Sequence, residues 1–346
     1  MTTTGLLRLS LVAVLLAASP VLRAQSLNPA PAVAGVQSDI NYLTGGYLRP
    51  LGEAVTAGLN NGWYHRAKSY PFGSFSISLE PTVGLIPDAQ TSFTIRPENL
   101  SELELVNPSD NVTPTAFGPN EAGVQLKYDN QSLPLGAGDR TFSMPAGYGF
   151  QLLPLVHLSA AVGLPGHNTL RLRYLPSVPV PTLDRTDYAL FGLGLQHSLT
   201  EWIPGLSALP LHISLMGGYS QFSLEQELPG NNNQQQALKL NTQSWTGRLL
   251  VSKEIHFLTL YAGIGYNGGH TRIQMKGSYR WVDPLDLNNP EKTIEDPVDF
   301  TTTGSNGIYG NLGMRLKFLK VIFLAADYTL GPYPALSASL GTQLKL

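Results

Sequence analysis

The chain has 346 residues, a formal net charge of −2 and no cysteine. A chain without cysteine can form neither disulfides nor a lipidated N-terminal cysteine, and its near-neutral charge gives no indication of nucleic-acid binding. Charged residues make up 13% of the chain, about half of the roughly 25% found in soluble domains. A surface that faces only water is therefore disfavoured.

Residues 1–24 have the layout of a secretory signal peptide. A short first segment with one positive charge precedes an apolar run over residues 9–18, Pro20 interrupts it, and Ala24 is an acceptable cleavage position. The apolar run is shorter than the about 20 residues that a membrane-spanning helix needs. We expect cleavage after Ala24 and export to the periplasm, the outer membrane or the medium.

Residues 25–71 lack the alternation of a strand and carry apolar residues at helical spacing. Those residues are Leu43, Tyr47, Leu51, Val55 and Leu59. The spacing predicts a short helix or two, whose apolar stripe must be covered by the lumen or the periplasmic mouth of a barrel. We therefore predict that this segment is a plug, with the following residues as candidates: Tyr47, Leu51, Asn60, Asn61, Trp63 and Tyr64.

Residues 72–346 alternate between apolar and polar residues, which is typical of strands in a barrel wall. The pattern predicts strands at 72–86, 91–106, 122–128, 147–162, 168–175, 187–198, 209–227, 238–253, 257–277, 305–318, 321–330 and 335–346. The predicted fold is all-β: a transmembrane antiparallel up-and-down β-barrel of about 12 strands, with 10–14 possible, and a short N-terminal helical plug. The expected domains are a signal peptide (1–24), the plug (25–71) and the barrel (72–346).

The last strand and the loop lengths indicate where this barrel is located. Leu336 and Leu340 share one face of the strand and Ser337 and Ser339 the other, and the alternation continues to the last residue. Short connections at residues 163–167, 253–257 and 318–321 fall on the periplasmic side, opposite longer polar loops, although 107–121 would be a long periplasmic loop. We expect a Gram-negative outer-membrane location, with outer-membrane lipid and the barrel-assembly machinery, which reads the C-terminal strand, as partners.

Four sequence blocks resemble an uncharacterised family of predicted bacterial outer-membrane β-barrel proteins, known as a domain of unknown function. The blocks are residues 47–51, 58–64, 86–88 and 201–204, and Gly-Leu-Asn-Asn-Gly-Trp-Tyr at 58–64 is the specific one. The resemblance spans nearly all of the mature chain and implies location and fold, but no substrate. In layout alone, the chain is also similar to the long-chain fatty-acid transporter barrels, which carry an N-terminal hatch.

Several charged residues occupy strand positions from which they must point into the lumen. On the lipid side, an Arg or Lys near the midplane would cost roughly 2 to 4 kcal/mol. Inside, these residues either form structural ion pairs with Asp327 and with plug carboxylates, which we favour, or line an anion-selective passage. The lumen-lining candidates are Arg171, Arg173, Arg315, Lys317 and Asp327.

Three classes of function remain open. We favour a plugged, porin-like channel or carrier for a small solute, with hydrophobic solutes included. The alternative is a closed structural or surface-display barrel whose external loops bind a partner. A weaker alternative, a lipid-modifying enzyme, rests on the strand histidines His157, His197, His212 and His256. We expect that the protein is not an enzyme and binds no cofactor. We also expect no metal site, because the acid-rich segment 283–299 matches no fixed calcium loop.

Overall fold

The structure is a computed structural model and describes residues 36–128, 141–179, 186–206, 209–228, 236–282, 291–319 and 321–345. One α-helix, α1 (Val36–Leu59), comes first, and two 3-10 turns lie at Asp88–Gln90 and Pro97–Asn99. The strands are β1 (Ser74–Leu85), β2 (Ser92–Thr94), β3 (Leu103–Leu105), β4 (Val112–Pro114), β5 (Gln125–Tyr128), β6 (Thr141–Ser143), β7 (Leu152–Leu164), β8 (Asn168–Pro179), β9 (Thr186–Ser198), β10 (His212–Leu228), β11 (Gln236–Ile255), β12 (Leu258–Lys276), β13 (Ser278–Val282), β14 (Glu291–Glu295), β15 (Val298–Thr303), β16 (Gly307–Phe318), β17 (Ile322–Leu330) and β18 (Ala335–Lys345).

The long strands form one closed antiparallel barrel. Its order is β1, β7, β8, β9, β10, β11, β12, then β15 with β16, β17 and β18, and β18 pairs back with β1. β15 and β16 share one wall position, because they pair with successive parts of β12. The wall therefore has ten positions, at the lower end of the expected range. The strands predicted at 91–106 and 122–128 are not part of it.

The exposure of alternate residues on β18 shows which face of the wall is buried. Ser337 and Ser339 are 4% and 3% exposed, whereas Leu336 and Leu340 are 52% and 54% exposed. The apolar set therefore faces outward and the small polar set faces the lumen, as a lipid-embedded barrel requires. The predicted all-β barrel and the orientation of its last strand are confirmed.

Connection lengths indicate which end of the barrel is which. Short connections join β7 to β8, β11 to β12 and β16 to β17 at the end where Ser74 pairs with Lys345, although the β9–β10 connection at that end is longer. We call this the inner end, because bacterial barrels have their short turns in the periplasm. The opposite end, the outer end, carries the connection from β1 to β7 over residues 86–151.

The described part of residues 86–151 folds into a cap at the outer end. β2 pairs with β4, and β3, β5 and β6 form a second small sheet. The expectation of a long periplasmic loop at 107–121 was wrong, because this segment lies in the cap. Strands of three or four residues pair with one another here and never join the wall.

Helix α1 lies inside the lumen, with its first turn at the outer end. The Asp39 carboxylate accepts hydrogen bonds from the backbone N–H groups of Ser101, Glu102 and Leu103 in the cap, at 2.8 to 3.0 Å. Beyond the helix the chain continues to the inner end, where the Tyr70 N–H donates to the Thr169 hydroxyl at 2.8 Å. The segment thus crosses the whole lumen before β1 begins.

In the described part of the chain, no helix combines the length and the apolar character needed to cross a membrane.

The two halves of the lumen differ in polarity. In the outer half, the apolar face of α1 packs against the cap and against large inward-facing wall residues such as Leu190, Phe222 and Ile273, forming one core. The helical stripe predicted from the sequence is buried there, with Leu43, Tyr47, Leu51, Val55 and Leu59 at most 6% exposed. In the inner half, the wall presents mostly Ser, Thr, Gly and Ala together with buried charges.

The outward face carries an apolar belt between two rows of aromatic side chains. The outer row is Tyr174, Phe191, Tyr219, Trp245, Tyr266 and Tyr328, and the inner row is Phe72, Trp202, Phe257 and Phe318. Tyr266 of β12 lies nine positions after Phe257, which directly precedes the strand. This offset is roughly 30 Å along the strand and about 23 Å along the barrel axis after a tilt of roughly 40°. Among the described strand residues, the charged side chain on the outward face between the rows is Lys253 of β11, which pairs with Leu260 close to the inner row.

Candidate functional site

The candidate site is the inner half of the lumen, where the segment that follows α1 meets the wall. We call residues 60–70 the plug segment. Wall side chains hold its backbone and the end of α1: the Arg173 guanidinium donates to the carbonyl of Leu59, the last residue of α1, at 2.8 Å and to that of Asn61 at 2.5 Å. Gln196 donates to the Ala67 carbonyl at 2.7 Å. These bonds satisfy backbone groups that would otherwise be buried without partners.

Trp63 occupies a niche formed by glycines on two neighbouring strands. A Cβ added at Gly194 or at Gly218 would lie 2.7 Å from the indole, and one at Gly192 would lie 3.1 Å from it. The Arg173 guanidinium covers the ring at 3.7 Å from its centroid, in the geometry of a cation–π contact. The indole is 1% exposed, so the wall is shaped to this one plug side chain.

Glu80 is the centre of a buried ionic cluster that joins plug and wall. Its carboxylate lies 3.4 Å from His65 of the plug segment and 3.2 Å from His157 of β7. It also lies 3.6 Å from Arg171 and 3.7 Å from Arg173 of β8. Glu80 is fully buried, and a buried carboxylate is tolerated only when it is paired and hydrogen-bonded in this way.

Tyr64 and Asn61 anchor the other side of the plug segment. The Tyr64 hydroxyl donates to Asn311 Oδ1 at 2.5 Å and accepts from Arg248 at 3.3 Å. Arg248 also donates to Asn61 Oδ1 at 3.5 Å and to Asn267 Oδ1 at 3.2 Å. A narrow polar crevice lies beside these residues, with Asn60, Asp327 and Thr329 also in its lining.

The lumen-lining candidates all lie on the inward face, but their partners differ from those expected. Arg171 and Arg173 share Glu80, a wall residue, and not Asp327 or a plug carboxylate. Asp327 accepts a hydrogen bond from the Tyr261 hydroxyl at 3.1 Å. Two further candidates have different environments: Arg315 donates to Gln343 at 2.8 Å, and Lys317 is half-buried near the inner end.

The six plug candidates are all buried in the lumen. Tyr47 and Leu51 lie on the helix, and the Tyr47 hydroxyl donates to the Ala146 carbonyl of the cap at 2.8 Å. Sequence reasoning missed the partners Glu80, His65 and Arg248. Glu80 follows Ser76 and Ser78 at inward positions of β1, so the alternation itself contained the signal that it points into the lumen.

Two acidic residues of segment 283–299 form ion pairs with nearby bases. Asp299 accepts a bidentate pair from Arg272, with the shorter distance at 2.6 Å. Lys276 and the Gly277 N–H donate to Asp296 and hold the pKa of its carboxyl below its usual value. Asp283 and Asp286 lie outside the described residues.

The fold and the site define a class of protein: a closed β-barrel with an apolar outer belt and a lumen filled by its own N-terminal segment. The chain belongs to the family of unknown function DUF6588, whose model matches residues 1–344. No functionally curated protein matches it.

Three solved barrels illustrate the similarity to known structures. Ail, the attachment invasion locus protein of Yersinia pestis, is 8% identical, with 79% of this chain and 100% of that chain covered and a TM-score of 0.27. The translocator domain of the autotransporter NalP from Neisseria meningitidis is 12% identical, with 91% of this chain and 100% of that chain covered and a TM-score of 0.24. The transport unit of the autotransporter AIDA-I from Escherichia coli is 11% identical, with 90% of this chain and 99% of that chain covered and a TM-score of 0.25. Similarity at this level adds nothing to what the strand pairing establishes.

Proposed function

We propose that this protein is an integral outer-membrane barrel that is closed at rest and presents its cap to a partner outside the cell. The membrane location is supported by the apolar outward belt between two aromatic rows, in which Lys253 lies close to the inner row and whose row spacing matches an apolar band of about 25 Å. The inner end would then face the periplasm and the cap would face the medium. The protein acts in this proposal as a platform and not as an enzyme.

Closure is supported by the way in which the N-terminal segment is held at both ends. At the outer end α1 shares an apolar core with the cap and the wall, and at the inner end the plug segment continues covalently into β1. An opening would have to expose that core and break the buried contacts of Glu80 and Arg173. This double attachment is the observation that carries the proposal.

The cap offers a carboxylate-rich surface to a partner. Its exposed charged side chains in the described residues are Asp88, Arg96, Glu98, Asp110 and Glu121. Complementary charge increases association rates more than affinity and is screened by salt. We therefore expect a partner with a basic surface, whose association with the cap slows as the salt concentration rises.

A gated channel or carrier for a small solute is the second candidate, and one observation favours it. Many side chains that face the lumen from the inner half of the wall are small, with Ser76, Ser78, Gly194 and Ser339 among them. The plug segment fills the space that these small side chains leave. A barrel filled by its own wall would need no such segment. In this candidate, solute passes when the plug segment shifts.

One conductance experiment separates the two candidates in the full-length chain. The hydroxyl oxygens of Thr56 on α1 and Thr271 on β12 lie 3.4 Å apart, so Thr56→Cys with Thr271→Cys brings two thiols within reach of a disulfide between α1 and the wall, and the chain has no other cysteine. In planar bilayers, the closed platform predicts no openings for wild type or for either redox state of the variant. Openings in wild type and in the reduced variant that disappear on oxidation would overturn it in favour of the gated passage.

A further inference from the structure

The inner half of the lumen contains more buried positive charge than buried negative charge. Two carboxylates are buried there, Glu80 and Asp327, and Glu254 lies at the rim with 31% of its side chain exposed. The buried bases are five arginines: Arg66, Arg171, Arg173, Arg248 and Arg315. Protonation of His65 or His157 would only increase this excess.

At the inner mouth, two wall arginines contribute to this excess, Arg171 and Arg315. Glu80 is shared by Arg171 and Arg173, so one carboxylate serves two cations. Arg66 pairs with Glu254 at 3.3 Å. Arg315, which is 2% exposed, donates to Gln343 and lies over the Phe323 ring at 4.4 Å, and it makes no ion pair within the described ranges.

Strand register places these two arginines on either side of one row of paired wall residues. Arg171 is paired with Ala161, Ala161 with Ser76, and Ser76 with Gln343. Gln343 is the residue that Arg315 contacts. The two guanidinium groups therefore flank the same short stretch of wall, close to the inner end.

Tyr70, at the end of the plug segment, lies close to both arginines. Arg66 lies over its ring at 4.7 Å from the centroid, and Arg171, Arg315 and Arg66 are the charges that act on its phenol. Three guanidinium nitrogens around it have no hydrogen-bond partner among the described residues: Arg66 Nε, Arg171 Nη1, which lies 3.6 Å from Glu80, and Arg315 Nε. Water could satisfy these donors, but water cannot neutralise the charge of the guanidinium groups.

We infer that the inner mouth of the lumen binds a small oxyanion between Arg171 and Arg315, beneath Tyr70 of the plug segment. A group with two or more acceptor oxygens, such as a phosphate or a carboxylate, suits the planar guanidinium donors. Lys68 and Lys317, which are partly exposed near the inner end, lead from the periplasmic side towards the site and attract anions to it. Because the bound anion contacts both wall and plug, it stabilises the closed barrel.

Urea unfolding of the full-length protein in detergent tests this site, with inorganic phosphate as the probe. Chloride salts keep the ionic strength constant, so that a general salt effect cancels. The wild-type midpoint should rise with the logarithm of the phosphate concentration above the dissociation constant, because the ligand binds only the folded state. Arg315→Gln should lose this response and should unfold at a higher urea concentration than wild type when phosphate is absent, because the unpaired buried charge is gone.

Arg272→Gln is the matched control, because Arg272 lies at the outer end and is paired with Asp299. It should keep the full phosphate response. A wild-type midpoint that responds to phosphate no more than to chloride would overturn the inference, and so would an Arg315→Gln protein that keeps the response. If Arg315→Gln does not fold, equilibrium dialysis of wild type with radiolabelled phosphate decides: about one phosphate bound per chain supports the site, and none overturns it.

Discussion

At the scale of single residues, the niche for Trp63 makes a sharp prediction because an inward and an outward glycine are adjacent on β10. A Cβ at Gly218 would lie 2.7 Å from the indole, whereas a Cβ at Gly217 meets no atom within 4 Å. Gly218→Ala should therefore destabilise the protein by about 1 to 3 kcal/mol through overpacking, and Gly217→Ala should be close to neutral in the same urea titration. Combining Gly218→Ala with Trp63→Phe should recover part of the loss, and equal effects of the two glycine changes would contradict the niche.

Glu80 carries a second prediction at this scale. Glu80→Gln removes the carboxylate that Arg171 and Arg173 share and leaves buried positive charge without compensation. We expect a loss of about 3 to 5 kcal/mol in the free energy of unfolding. Glu98→Gln, at an exposed position of the cap, is the control and should change stability by less than about 0.5 kcal/mol. A Glu80→Gln protein as stable as this control would mean that the cluster does not hold the plug.

The inward direction of Arg171, Arg173 and Asp327 could be predicted from the sequence, because a period of two assigns every second residue to one face. Their partners could not. Glu80 reaches Arg171 across β7, and only the register of β1, β7 and β8 brings them together. The Trp63 niche was hidden for the same reason, since Gly194 and Gly218 become neighbours only when β9 and β10 pair.

At the scale of elements, the outward belt predicts where a charge is tolerated along one strand. Leu249 and Gln243 both face outward on β11, Leu249 between the aromatic rows and Gln243 beyond the outer row at Trp245. Leu249→Arg should cost roughly 2 to 4 kcal/mol in a lipid bilayer and Gln243→Arg about 0 to 1 kcal/mol, because the cost depends on depth. Refolding into vesicles and measuring the urea midpoint tests both variants. If Gln243→Arg cost more than Leu249→Arg, the membrane would not surround the belt.

The long elements were predictable and the cap was not. Alternation over ten or more residues identified strands such as β11 and β12, and helical spacing identified α1. The cap strands are three or four residues long, too short for alternation to distinguish a wall strand from a local pair. Alternation in 91–106 and 122–128 therefore indicated two wall strands that the barrel does not contain.

At the scale of the whole molecule, the direction of α1 determines which side of the barrel the chain enters from. Its first turn is fixed to the cap through Asp39, and its last turn leads to the plug segment and to β1 at the inner end. A segment that crosses a closed barrel cannot be threaded in afterwards without passing through the lumen. We therefore expect the wall strands to pair around α1 and not before it.

The same geometry predicts that a protease added to intact cells reaches sites at the outer end of the barrel and not sites at the inner end. A protease site inserted just before Val36 should be cut in intact cells, because the helix begins at the outer end beside the cap. The same site placed in the turn between β16 and β17, next to Leu319, should be cut only after the outer membrane is permeabilised, because that turn lies at the inner end. Cleavage of both inserted chains can be followed by immunoblotting with a C-terminal epitope. If the turn were cut in intact cells and the site before Val36 were protected, the cap would face the periplasm, and a cap that meets partners outside the cell would be ruled out.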